Sequence, residues 1–229
     1  MSVLSVREGY RLWAPTYSNE TAISHLEAQL AAALTPPLQG LRLLDAGCGT
    51  GRRLLGAGAA SAVGIDLSPE MLDAGIGRNG EAGARVMVGD VRDLPLPDRA
   101  FDVVWCRLVI GHLPDCAPVY AELARVADVG ARVLVTDFHP TAHAAGHRRS
   151  FRTGEAVHEI EHYVHDIDRQ LSAARAAGLE LIEVREAEIG PEVRDFYRQA
   201  GRLSLYEEHV GLPVVLALAF RRGPDRCAC

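Results

Sequence analysis

The chain has 229 residues, 48% of them hydrophobic, with 24 basic against 30 acidic side chains and a net charge of −6. That balance suits one globular domain of 1–229, and it excludes disordered chains and proteins that grip nucleic-acid phosphates through clustered cations. Every basic residue is arginine, so Schiff-base catalysis, a pyridoxal-phosphate anchor and a P-loop lysine are ruled out.

The N-terminal stretch to Leu38 is predicted to be helical and carries Tyr10, Trp13 and Tyr17. It lacks the apolar core of a signal peptide, and no apolar run in the chain approaches the roughly 20 residues that span a bilayer, so a cytoplasmic protein without membrane contact is expected. From Leu41 to Ala187 short apolar runs alternate with amphipathic stretches, the pattern of parallel strands joined by crossover helices. Strands are predicted over Leu41–Ala46, Ala62–Ile65, Ala84–Val88, Phe101–Cys106, Arg132–Thr136, Leu179–Val184 and Val214–Phe220. Helices are predicted over Arg52–Gly58, Pro69–Arg78, Asp115–Ala127 and Asp166–Ala177, the second entered through Ser68 and Pro69 and the last followed by Gly178. The fold class is therefore α/β, a seven-stranded, mostly parallel, doubly wound sheet. Two segments stand outside the alternation, 1–38 and 138–165, and both are expected to cover the ligand edge of the sheet.

Leu43-Leu44-Asp45-Ala46-Gly47-Cys48-Gly49-Thr50-Gly51 runs an apolar strand directly into three alternate glycines. Glycine lets the backbone press against a ligand, and the carboxyl end of a first strand is where such sheets bind one. Asp66 ends the next strand about 20 residues on, the place of a carboxylate that grips ribose hydroxyls. A dinucleotide pattern would need glycine at position 52, where Arg52 stands. Asp90 follows a third strand, where it could accept a hydrogen bond from an adenine amino group. Any one of these acids alone reads as a turn former or helix cap; three at successive strand ends describe a nucleoside site.

These motifs resemble those of class I S-adenosylmethionine-dependent methyltransferases over nearly the whole chain. LLDAGCGTG resembles the first motif, GIDLSPEML the second-strand acid motif, and GDVRDLPLPDRAFDVVWC the adenine motif with its following strand. GHLPDCAPVYAELARVADVGARVLVTDF is similar to the next helix and fifth strand, with Asp128-Val129-Gly130 in place of the usual Pro-Gly-Gly turn. The opening GYRLWAPTYS resembles the small-molecule branch that includes ubiquinone, menaquinone and malonyl-carrier-protein methyltransferases. The resemblance implies a Rossmann-like fold and S-adenosylmethionine as cofactor. It puts Gly47, Cys48, Gly49 and Gly51 around the methionine part, with Asp45 reaching its ammonium directly or through water. It also implies Asp66 on the ribose, Leu67 and Met71 flanking adenine, Asp90 and the Val91 backbone at its edge, and Arg107 beside the methionine part. Tyr10, Trp13 and Tyr17 would form a lid, or on the plainer reading an aromatic staple on the sheet.

Six of nine histidines fall between Phe138 and His165, and His112 follows the fourth strand. His112 and His139 are the candidates for a base on the acceptor, against an ordinary capping or buried role. His158-Glu159-Ile160-Glu161-His162 matches the H-E-x-x-H zinc pattern, but that site needs a helix and an extended stretch is expected here, so no metal is assigned. The spacing of Cys48, Cys106, Cys116, Cys227 and Cys229 likewise gives no zinc or disulfide framework. Arg148, Arg149 and Arg152 read as a solvated face or as a contact to an anionic substrate. The expected reaction is methyl transfer to a small-molecule acceptor, oxygen first, then nitrogen or carbon. Two rivals are a nucleotide-binding regulator without turnover and a nicotinamide-dependent oxidoreductase. Product formation separates the first, and binding of NAD in place of S-adenosylmethionine the second.

Overall fold

The computed structural model describes residues 2–75 and 84–224. Ten strands run in chain order as β1 Ser2–Leu4, β2 Arg42–Ala46, β3 Ser61–Asp66, β4 Ala84–Val88, β5 Phe101–Arg107, β6 Ala127–Phe138, β7 Ser150–Thr153, β8 Ala156–Ile160, β9 Leu179–Glu188 and β10 Pro213–Arg222. Seven of them form one sheet in the order β4-β3-β2-β5-β6-β10-β9. The four pairs from β4 to β6 are parallel, and β10 is antiparallel to both β6 and β9. The seven predicted strands are all present, and the order reverses between β2 and β5, the switch point at which such sheets take their ligands.

Strand period decides which face each residue serves. Leu44, Val104, Val133, Val135 and Leu216 join one core with the helices Ala117–Val126 and Ile167–Ala176. Their strand neighbours Leu43, Val103, Trp105, Leu134 and Ala217 join the opposite core beneath the helix α2, Ala22–Leu34. The helix α2 is closed by a capping box: Ser24 N donates to Thr21 Oγ1 at 3.1 Å, and Thr21 N donates to Ser24 Oγ at 2.8 Å. The short helix α3, Pro69–Asp73, starts where expected, with Met71 N donating to Ser68 Oγ at 3.2 Å. The predicted Pro69–Arg78 helix stops early, since Ala74 and Gly75 form a turn; its remainder, from position 76, lies outside the described residues, as do Cys227 and Cys229.

One predicted helix is not formed. Arg52–Gly58 forms turns rather than a helix, because Gly56 and Gly58 take φ of +68° and +74°, outside the helical region. The stretch 138–165 and the N-terminus, both expected to cover the ligand edge, meet in a second sheet of order β1-β8-β7. In it β1 runs parallel to β8, with Ser2 opposite His158 and Leu4 opposite Ile160. The helix α1, Val6–Trp13, follows at once and passes so close to β8 that a Cβ on Gly9 would crowd Ile160. His158 therefore lies on a strand, and the helical face that a zinc H-E-x-x-H requires is not formed.

Candidate active site

At the switch point a cavity of about 370 Å³ opens above the carboxyl ends of β2, β3 and β5. Its floor is the turn after β2, where Gly47, Gly49 and Gly51 all have positive φ. A Cβ on Gly47 would overlap the Val109 side chain, so the turn can lie this close to the wall only without one. Gly47 N and Cys48 N donate to Ile65 O at 2.7 and 2.9 Å, which pins the turn to β3.

Asp66 borders the cavity and is held in place by backbone donors: Gly49 N reaches Oδ2 at 2.7 Å and Ser68 N reaches Oδ1 at 2.9 Å. Burial pushes its carboxyl above the usual range, and those donors oppose the shift. Asp45 sits beneath the turn, fully buried, and neither carboxylate oxygen has a hydrogen-bond partner among the described residues. Burial lifts its carboxyl to about 6 despite Arg53 and Arg107 nearby. Asp90 borders the cavity too, but its carboxylate is clasped by Arg92, with Nη2 to Oδ2 at 2.6 Å and Nε to Oδ1 at 3.0 Å, which holds it below the usual carboxylate range.

Of the other expected residues, Leu67, Met71, Val91, Arg107, Tyr10, Tyr17 and His112 line the same cavity. Cys48 and Gly51 are buried behind the turn and do not line it. Trp13 lies outside it as well, stacked on Phe151 with ring centres 5.1 Å apart, and borders a neighbouring cavity instead. His139 is not brought to the site. Its Nδ1 accepts from Thr141 N at 3.1 Å to cap the short helix Pro140–Ala144, and its Nε2 meets Glu186 of β9 at 3.0 Å.

His112 belongs to a buried cluster. Arg149 Nη1 donates to His112 Nε2 at 2.8 Å, so that nitrogen carries a lone pair and the ring proton sits on Nδ1. The Tyr10 hydroxyl lies 2.7 Å from the same Nε2 and accepts from Arg149 at 3.2 Å. Burial, with Arg149 beside it, drives the His112 pKa well below the usual imidazole value.

Sequence reasoning missed the ion cluster under the site. Glu27 of α2 is fully buried and accepts from Arg107 Nε at 2.7 Å, Arg107 Nη2 at 2.9 Å, Arg53 at 3.0 Å and the Thr136 hydroxyl at 2.9 Å. The signal was available: Glu27 shares a helix face with Ile23, Ala31 and Leu34, a core stripe on which a lone acid needs a buried partner.

A family described as a methyltransferase domain matches residues 44–135, the stretch from β2 through β6 that builds this cavity. Residues 44–135 carry a methyltransferase domain. The class I methyltransferase expected from the motifs is thus met in sequence, and the fold agrees. A 27-O-demethylrifamycin SV methyltransferase of Amycolatopsis mediterranei is 33% identical over 172 residues, 70% of this chain and 61% of the relative. A malonyl-[acyl-carrier protein] O-methyltransferase of Serratia marcescens is 38% identical over 97 residues, 42% of this chain and 37% of the relative. The chain thus spans between about a third and three fifths of the first of its curated relatives. Among solved structures, an S-adenosylmethionine-dependent methyltransferase from Mesorhizobium loti superposes with a TM-score of 0.68 at 22% identity, covering 86% of this chain and 98% of that one. The [4+2]-cyclase SpnF superposes at 0.72 with 20% identity, covering 98% and 99%. A cyclase on the same fold as a methyltransferase means that the reaction must be argued from the site of this methyltransferase domain.

Proposed function

We propose that this chain transfers the methyl group of S-adenosylmethionine to a small-molecule acceptor, with oxygen as the accepting atom. The observation that carries the reading is the convergence of the glycine turn, Asp66 and Asp90 on one cavity above the buried, unpartnered Asp45. These residues fit the cofactor: carboxylates edge the space that a sulfonium and an ammonium would occupy, and the turn has no side chain to fill it. When bound, S-adenosylmethionine supplies an electrophilic methyl group on sulfur. Asp66 would hold the ribose hydroxyls, its two oxygens being already aimed by Gly49 N and Ser68 N. Asp45 would answer the ammonium, Leu67 and Met71 would flank adenine, and Asp90 with the Val91 backbone would read its edge. The choice of oxygen draws on the relatives, several of which are named O-methyltransferases.

Tyr10 and Tyr17 border the cavity from the N-terminal side, and methyl transfer here rests on positioning of the two reactants. His112 supports that role rather than proton removal, because the lone pair a base would use already accepts from Arg149. Incubation with methyl-labelled S-adenosylmethionine and a metabolite extract tests the reading, with identification of the labelled product. Binding of the cofactor with no labelled product from any extract would favour the regulatory reading. Binding of NAD in its place would favour the oxidoreductase.

A further inference from the structure

A second cavity, of about 170 Å³, lies against the first and shares Tyr10, Tyr17 and Leu108 with it. Its charge is one-sided. Arg52, Arg53, Arg148 and Arg149 line it, and among the described residues no aspartate or glutamate does, in a chain whose net charge is −6. The first cavity, by contrast, sets Asp66, Asp90 and Glu161 against Arg7, Arg92 and Arg107. Glu27 neutralises Arg53 from behind, while Arg52 donates to the Ser18 carbonyl and Arg148 to the carbonyls of His143 and His147.

Arg149 is the least satisfied of the four. It is only 6% exposed, and its contacts are to neutral groups: the Leu108 carbonyl at 2.9 Å, His112 Nε2 and the Tyr10 hydroxyl. Its Nε and Nη2 are buried with no hydrogen-bond partner among the described residues. The buried carboxylate of Asp137 feels the Arg149 charge but makes no hydrogen bond to it, accepting from Phe138 N instead. Buried donors left unfilled are costly unless an acceptor completes them. The remaining walls are aromatic: Trp13 and Tyr17 meet edge to face at 5.0 Å, and Phe138 lies under the Arg149 guanidinium at 4.9 Å.

We infer that this second cavity is the acceptor pocket and that the acceptor is a planar, conjugated molecule bearing a carboxylate, recognised by Arg149 and Arg52 against the aromatic walls. Guanidinium forks match carboxylates in geometry, and aromatic faces suit a flat ring. The acceptor carboxylate would thereby face arginines alone, while the cofactor space offers acids to its cationic groups. The inference rests on the methyltransferase reading for what the first cavity holds, and on its own residues for what the second takes.

The test uses the protein with S-adenosylhomocysteine present, 4-hydroxybenzoate as probe and 4-hydroxybenzamide as its uncharged counterpart. Binding is followed by the fluorescence of Trp13, with Trp13→Phe assigning the signal. The benzoate is expected to bind at least tenfold tighter than the amide at pH 8, and Arg149→Gln to bring the two within threefold. Arg52→Gln is expected to narrow the preference as well, and it alone decides if Arg149→Gln does not fold. Equal affinity for acid and amide, binding of neither, or a tenfold preference kept in every folded variant overturns the inference. If the benzoate preference holds but S-adenosylhomocysteine does not bind, the methyltransferase reading fails and the anion pocket stands.

Discussion

Replacing Asp45 with asparagine should make the ligand-free protein more stable while ruining its cofactor site. Burial raises the Asp45 carboxyl from 3.8 to about 6. Because the folded value lies above the unfolded one, the stability this group contributes is fully present below pH 3.8 and is lost as pH rises through about 6. A gap of roughly two pH units corresponds to about 3 kcal/mol at pH 8. Asparagine keeps the shape and removes the charge, and its amide replaces a carboxyl that was itself unpartnered. The ligand-free variant is therefore expected to gain about 1–3 kcal/mol at pH 8, roughly 3–9 °C in melting temperature for a domain this size. The gain should vanish near pH 4, where the wild-type carboxyl is protonated in the fold. Urea unfolding at both pH values measures it, and calorimetry with S-adenosylhomocysteine should show affinity down at least tenfold, in line with the order of magnitude for a lost charged hydrogen bond. An asparagine variant less stable than wild type at pH 8, or a stability gap that ignores pH, would refute the view that this carboxylate is held in reserve for a cation.

Asp66→Ala should lower S-adenosylhomocysteine affinity by roughly 10–100-fold in a folded protein; unchanged affinity by calorimetry would falsify the ribose assignment. Glu27→Gln leaves Arg53 and Arg107 facing each other without their shared carboxylate, and the unfolding free energy in urea should drop by about 3–5 kcal/mol; an unmoved midpoint would show that the cluster carries no stability. His162 is depressed to about 3, mainly by burial, so its contribution is fully present above pH 6.5 and is lost as pH falls toward 3. Between pH 6.5 and 5 wild type should lose about 2 kcal/mol relative to His162→Asn, and parallel pH–stability curves for the two proteins would contradict this.

The large sheet was legible because its cues are local. Leu43-Leu44-Asp45-Ala46 and Val103-Val104-Trp105-Cys106 are short apolar runs buried on both faces, each bounded by a turn. The glycine turn, Asp66 and Asp90 were readable for the same reason, since each follows its strand directly. The contacts that complete the site join distant parts of the chain and leave no periodic trace. The β1–β8 pairing spans more than 150 residues, and nothing in Ser2-Val3-Leu4 names its partner. Arg149 stands in an Arg-Arg pair that resembles any solvated charge run, and only the fold reveals that one of the two is buried beside His112. Adjacency left two roles open for His139: it follows β6 at the ligand edge, and the helix beginning at Pro140 takes its ring as a cap, the plainer of the two.

The ladder between β1 and β8 ties the start of α1 to the hairpin β7–β8, and Tyr10 on that helix borders both cavities. The two compartments therefore share a wall that the N-terminus supplies. On the proposed function, any shift of α1 would reshape the cofactor space and the acceptor space together, and three residue pairs of backbone are what hold it in place.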